Sequence, residues 1–140
     1  MAELKEKIHN LITTPALAAF ATLTHDGRPW VRFVMIVADE DLTVRFATYV
    51  ESRKVAQIAE NPNVHLTAGN RNLSEMGPYL QMEGTAELTT SEEERKHFWS
   101  PELSRYFKGP DDPNYGIIRV RPSRIEYYTP PVMEPEVLEL

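Results

Sequence analysis

Ser52-Arg53-Lys54 places two cations directly after a residue suited to cap a helix. Residues 46–50 read as the end of a strand, and 53–60 read as a short helix that stops before Asn61-Pro62. Serine is a natural N-cap. Arg53 and Lys54 then fall in the first turn, where the positive end of the helix dipole disfavours cations. The arrangement makes chemical sense if an anion binds among the free backbone N–H groups, and phosphate is the usual one. The competing reading is a solvated helix start beside Glu51. Arg32 is a second anomaly. In the segment 29–38, Trp30, Arg32, Val34 and Ile36 share one face while Val31, Phe33, Met35 and Val37 share the other. A cation therefore stands in an apolar row, either for a ligand or for an acid on a neighbouring strand.

Composition narrows the chemistry. The chain has 140 residues, 41% of them hydrophobic and 26% charged, which suits one ordinary globular domain spanning 1–140. The net charge of −6, with no basic stripe, argues against a nucleic-acid binder. There is no cysteine, so disulfides, thiolate metal sites and cysteine nucleophiles are excluded. His9, His25, His65 and His97 are scattered without metal-ligand spacing, and no metal site is expected. No nucleophile-elbow motif occurs. Glu92-Glu93-Glu94 reads as a solvated helix start. No segment is apolar enough to span a membrane and no signal core follows the N-terminus, so a cytoplasmic location is expected. The sequon-like Asn72-Leu73-Ser74 is read as a chance match.

The elements that must position these residues are mostly strands. Leu4, Ile8, Leu11 and Ile12 predict a helix over 2–12, ended by Pro15. Strands are predicted over 17–23, 29–38, 42–48, 64–68 and 79–88, with Asp26-Gly27 as a hairpin turn. Residues 70–78 read as a loop. A capping residue followed by acids predicts a helix from about 91 to 99, and a second short helix is expected near 102–107. Two closing strands, 115–120 and 124–128, are separated by Pro122, and 130–140 reads as an extended acidic tail. Antiparallel strands with tight turns and few helices favour a small barrel.

Five segments in this order resemble the pyridoxamine 5′-phosphate oxidase-like family. They are residues 17–29, the strand Arg32-Phe33-Val34-Met35-Ile36, residues 48–58 with Asn61-Pro62, Glu83-Gly84-Thr85-Ala86-Glu87, and residues 119–128. The resemblance covers roughly residues 11–129. It implies a mainly β fold, a six- to seven-stranded antiparallel split β-barrel that binds FMN at the interface of a homodimer. Carried over residue by residue, it makes Arg53 and Lys54 the cations for the FMN phosphate, with the hydroxyls of Thr48 and Ser52 beside them. Arg32 becomes the strand arginine reaching the phosphate end, and Phe33, Val34 and Met35 belong to the strand that lines the ring. Gln81, a candidate cofactor contact, stands two residues beyond Tyr79, which occupies the place of the oxidase's glutamine near the start of the Gly-x-Ala strand. Trp99, Tyr106, Phe107 and Tyr115 are candidate aromatic contacts from the partner subunit.

The departures are specific. Val37 stands where the oxidase has a lysine, and the oxidase's C-terminal Arg-x-His-x-Arg substrate element is missing, since no histidine follows His97. Oxidation of pyridoxamine phosphate is therefore not expected. The chain is more similar to the short general-stress-protein branch. The leading expectation is an FMN-dependent oxidoreductase with an unknown small-molecule substrate. The alternative is a non-catalytic flavin, deazaflavin or haem binder or sensor.

Overall fold

The computed structural model describes residues 2–69 and 74–140. Part of the loop expected at 70–78, and most of the Asn72-Leu73-Ser74 triplet, lies outside the described residues. In chain order the elements are α1 (Ala2–Ile12), β1 (Ala16–Leu23), β2 (Pro29–Ala38), β3 (Val44–Tyr49), α2 (Arg53–Glu60), β4 (Asn63–Ala68), β5 (Tyr79–Thr89), α3 (Glu92–Phe98), a 3₁₀ turn (Pro101–Arg105), β6 (Tyr115–Tyr128) and β7 (Glu136–Glu139). The strands run in the order β3-β2-β1-β4-β5-β6-β7, and a β3–β6 pairing closes the first six into an antiparallel barrel. The long β6 makes the split. Its first half pairs with β3, from Tyr115 to Val120, and its second half pairs with β7, from Arg124 to Tyr127.

Period-two alternation sends one face of each strand inward. Phe20, Ile36, Phe46, Leu66, Met82 and Val120 fill the barrel, with Phe20 and Phe46 meeting edge to face at 4.9 Å between ring centroids. Helix α1 contributes Leu4, Ile8 and Ile12 to the same core. The Asp26-Gly27 turn forms as expected: Gly27 takes φ of +77° and its N–H donates to the Thr24 carbonyl at 2.8 Å.

Three local expectations change. Leu42 does not open β3. It sits in the preceding turn at φ of +70°, an unfavourable conformation for leucine, while its side chain is fully buried. Burying the isobutyl group offsets the backbone cost. Pro122 does not divide β6 into two strands, because a bulge absorbs it. The β5–β6 register passes from Glu83–Arg124 to Gly84–Pro122, leaving Ser123 without a partner on β5. Glycine is required opposite: a Cβ on Gly84 would lie 2.4 Å from the Arg121 carbonyl oxygen. Finally, the C-terminal stretch does not hang free, since Glu136–Glu139 adds the seventh strand.

A separate aromatic cluster lies beside the barrel. Tyr115 contacts Phe107 (4.9 Å) and Trp99 (5.5 Å), and its hydroxyl donates to the Arg95 carbonyl at 3.0 Å. Burial pushes the Tyr115 pKa up to about 12. Phe107 and Tyr115 are thus consumed by their own subunit and are withdrawn as aromatic contacts for a partner. Tyr106 remains exposed.

Candidate functional site

Helix α2 begins at Arg53 with Ser52 in the N-cap position, but the Ser52 hydroxyl caps no backbone N–H. It pairs instead with the Thr48 hydroxyl at 3.1 Å. Thr48 is buried at the end of β3, so that strand and α2 bring two neutral hydroxyls to the helix N-terminus. Arg53 is exposed, and its guanidinium lies over the Trp30 ring at 5.6 Å from the centroid. Lys54 is half-buried beside it.

Arg32 reaches the same place from β2. Its Nη1 donates to Thr22 Oγ1 at 2.7 Å, to the Trp30 carbonyl at 3.2 Å and to the Phe20 carbonyl at 3.4 Å. Its Nη2 donates to Gln57 Oε1 on α2 at 3.1 Å. Every one of these acceptors is neutral. Among the described residues, no carboxylate forms an ion pair with Arg32, Arg53 or Lys54. The consequence is mutual destabilisation of the charged forms. Burial and the nearby Arg53 lower the Arg32 pKa, and burial and Arg32 lower that of Lys54.

Three arginines elsewhere on the barrel are treated differently. Arg45 is held by Asp39 and by Glu94, the latter at 3.1 Å. Arg119 is held by Glu87 at 2.6 Å and Glu94 at 3.1 Å. Arg124 is held by Glu139 and by Glu126, the latter at 2.8 Å. The cleft of about 420 Å³ beside Arg45, Arg119 and Arg121 therefore offers cations already neutralised, and it is the weaker anion site. Three uncompensated cations around one helix start fit a phosphate group, which supplies the missing charge and several strong acceptor oxygens.

The remaining expected residues separate onto other surfaces. Val34 faces inward with Arg32, while Phe33 and Met35 point out from β2 and are 73% and 54% exposed. Leu17 lies opposite Met35 on β1, and Ala19 opposite Phe33, giving an apolar outer face that also includes Val31. Gln81 also points out of the barrel, but from β5. The row Phe33–Ala19–Thr67–Gln81 crosses β2, β1, β4 and β5 in register, and β5 lies three strands from β2 in either direction around the closed barrel, so Gln81 faces away from Phe33. The structure thus gathers Arg32, Arg53 and Lys54 at the mouth of the barrel, with Thr48 and Ser52 at the same helix start. It sets Phe33 and Met35 on the outer surface of β2 and Gln81 on the outer surface of β5.

Sequence reasoning missed Thr22, Gln57 and Trp30. A signal was present for each. Thr22 interrupts the inward apolar row Ala16, Ala18 and Phe20. Gln57 lies one helical turn after Arg53, on the same face. Trp30 is two residues before Arg32 on the same face of the strand.

Comparison with known proteins adds independent findings. The sequence profile described as pyridoxamine 5′-phosphate oxidase matches residues 4–129. General stress protein 26 of Bacillus subtilis (strain 168) is 30% identical over 138 residues, covering 99% of this chain and 97% of that protein. A pyridoxine/pyridoxamine 5′-phosphate oxidase of Burkholderia thailandensis is 27% identical, covering 89% of this chain and 71% of that protein. The crystal structure of General Stress Protein 26 from Bacillus anthracis str. Sterne superposes with a TM-score of 0.84 at 33% identity, covering 99% of both chains.

Proposed function

This chain belongs to the pyridoxamine 5′-phosphate oxidase family, and from that premise we propose that it is an FMN-binding flavoprotein that serves as a flavin-dependent oxidoreductase. One observation carries the reading: Arg32, Arg53 and Lys54 converge on the start of α2 with only neutral partners. Arg53 and Lys54 hold the FMN phosphate, Thr48 and Ser52 offer hydroxyls to it, and Arg32 supports it from the strand. Phe33, Val34 and Met35 form the strand beside the ring, and Gln81 is a polar anchor on the outer surface of β5. The flavin supplies the hydride or electron chemistry when bound, and the protein supplies binding, orientation and exclusion of water.

The outer face of β1 and β2 is the proposed interface of a homodimer. Leu17, Val31, Phe33 and Met35 are exposed side by side, a contiguous apolar surface of the kind a second copy covers. The substrate differs from that of the oxidase whose name the family bears. After Tyr128 the chain continues through Thr129, Pro130 and Pro131 into β7, and none of these residues is histidine or arginine.

The test begins with the visible spectrum of freshly purified protein and mass analysis of what heat releases. Released FMN supports the reading, and colourless protein that takes up no added FMN overturns it. Bleaching of bound flavin by NADH or NADPH, followed by reoxidation with turnover, separates an oxidoreductase from a passive carrier.

A further inference from the structure

Gln57 occupies the position where a carboxylate would ordinarily be expected. It lies four residues after Arg53 and three after Lys54 on α2, the spacing at which glutamate pairs with a cation. Its Oε1 also meets the half-buried Arg32 from β2 at 3.1 Å. A glutamate here would face three cations, and the chain uses glutamate for this purpose at Arg45, Arg119 and Arg124. At position 57 it uses the uncharged isostere. Thr22, which is buried, donates its hydroxyl to the same Gln57 oxygen and accepts from Arg32. Arg32, Gln57 and Thr22 thus form a closed triangle that fixes the guanidinium without cancelling its charge.

The net charge of a binding site decides which phosphate it prefers. A phosphate monoester carries about −1.5 to −2 near pH 7, with a second pKa of about 6. A diester carries a single negative charge at any such pH. Cations left uncompensated favour the dianion, and each one neutralised from within reduces the preference.

We propose that Gln57 is the positioning residue that sets this site's selectivity, holding Arg32 in place while leaving its charge available, so that the site takes a terminal phosphate monoester in preference to a diester. The inference rests on the FMN reading above and deepens it. It names the esterification state of the ligand and the residue that enforces it.

The experiment uses the full-length protein stripped of flavin, with three probes: FMN, riboflavin, and riboflavin 4′,5′-cyclic phosphate, a diester with one negative charge. Affinities are measured by quenching of flavin fluorescence for the wild type, Gln57→Glu and Gln57→Met. In Gln57→Glu the preference for FMN over the cyclic phosphate should shrink on the order of tenfold or more, with riboflavin affinity unchanged. Gln57→Met removes the acceptor that holds Arg32 without adding charge and should lose part of that preference, about threefold, and an unchanged ratio in this variant overturns the positioning role. Comparing the two ratios cancels general loss of structure, which would weaken all three probes together. If Gln57→Glu does not fold, Gln57→Met decides together with the wild type. The wild type's FMN affinity should fall between pH 7.5 and 5.5 as the phosphate gains a proton, while its affinity for the cyclic phosphate stays level. An unchanged preference in Gln57→Glu, or parallel pH profiles for the two phosphates, overturns the inference and leaves the FMN reading standing. Failure of the wild type to bind FMN at all overturns both.

Discussion

The hydroxyls of Thr48 and Ser52 lie 3.1 Å apart at the point where β3 gives way to α2. Either hydroxyl can donate within this pair, and Thr48 has a second acceptor in the Tyr49 carbonyl at 3.2 Å. A residue in the N-cap position is therefore diverted from capping, and α2 starts without a side-chain cap. Removing a working serine cap costs about 1 kcal/mol. Ser52→Ala should here cost less than about 0.5 kcal/mol in urea unfolding of the flavin-free protein. The same variant should bind FMN roughly tenfold more weakly, because a donor to phosphate is lost. A stability loss above 1 kcal/mol with unchanged FMN affinity would show that the serine is structural after all.

Arg53 and Lys54 should behave in the opposite way to most charged pairs. They have no acidic partner among the described residues, and burial, with the neighbouring cation adding to it, lowers the pKa of Arg32 (beside Arg53) and of Lys54 (beside Arg32). Replacing both with alanine relieves repulsion and removes the phosphate contacts. The expected outcome is an unchanged or higher thermal midpoint for the flavin-free protein, together with loss of bound FMN on purification. Full flavin occupancy in the double variant would refute the site assignment.

The outer face yields a separate prediction about assembly. Phe33 is 73% exposed and Leu17, Val31 and Met35 surround it, whereas the barrel interior behind them is complete. Phe33→Asp should leave the far-ultraviolet circular dichroism intact and shift the sedimentation coefficient from dimer to monomer. Because the flavin is proposed to sit at that interface, FMN affinity should fall with dimerisation. A dimer that survives the substitution would place the interface elsewhere.

Acid sensitivity should be focused on Asp112. Its carboxylate accepts the backbone N–H groups of Lys108 at 2.8 Å and Asn114 at 2.9 Å, closing the loop between Phe107 and Tyr115. These two bonds hold its pKa below the usual aspartate value. A carboxyl whose folded pKa is depressed stabilises fully above its unfolded pKa, about 3.9, and loses that contribution as pH falls through the lower folded value. Asp112→Asn should therefore flatten the acid limb of the stability profile below about pH 4, with the remaining slope shared by the other carboxyls held low, Asp41, Glu87, Glu92, Glu102 and Glu126. Urea midpoints measured from pH 7 down to pH 3 in both proteins test this, and parallel limbs would refute it.

Some of the site was legible because its chemistry is local. Ser52, Arg53 and Lys54 are contiguous, and a cation pair in a first helical turn breaks a rule that operates within four residues. Arg32 was legible because alternation places it in an apolar row of one strand. Gln57 and Thr22 carried weaker local signals, a turn of helix after Arg53 and a polar break in an apolar row, and their significance arises only when β1, β2 and α2 meet. The aromatic residues show the same limit from the other side. Trp99, Phe107 and Tyr115 have the chemistry of ring contacts, and only the tertiary structure shows that Trp99 and Phe107 pack edge-on and tilted against Tyr115 within the subunit.

The sequence by itself determined the strand alternation, the Asp26-Gly27 hairpin, the helix at 53–60 and the cationic start of that helix, because each depends on residues a few positions apart. It also determined the family, since five segments keep their order and spacing. Tertiary structure decided the rest. It joined 115–128 into one strand by matching Pro122 with Gly84, placed Leu42 in a strained turn for the sake of its burial, and folded 136–139 onto β6. Above all, it decided which partners each arginine receives. Charge compensation depends on distances between elements far apart in the chain, and those distances exist only once the barrel has closed.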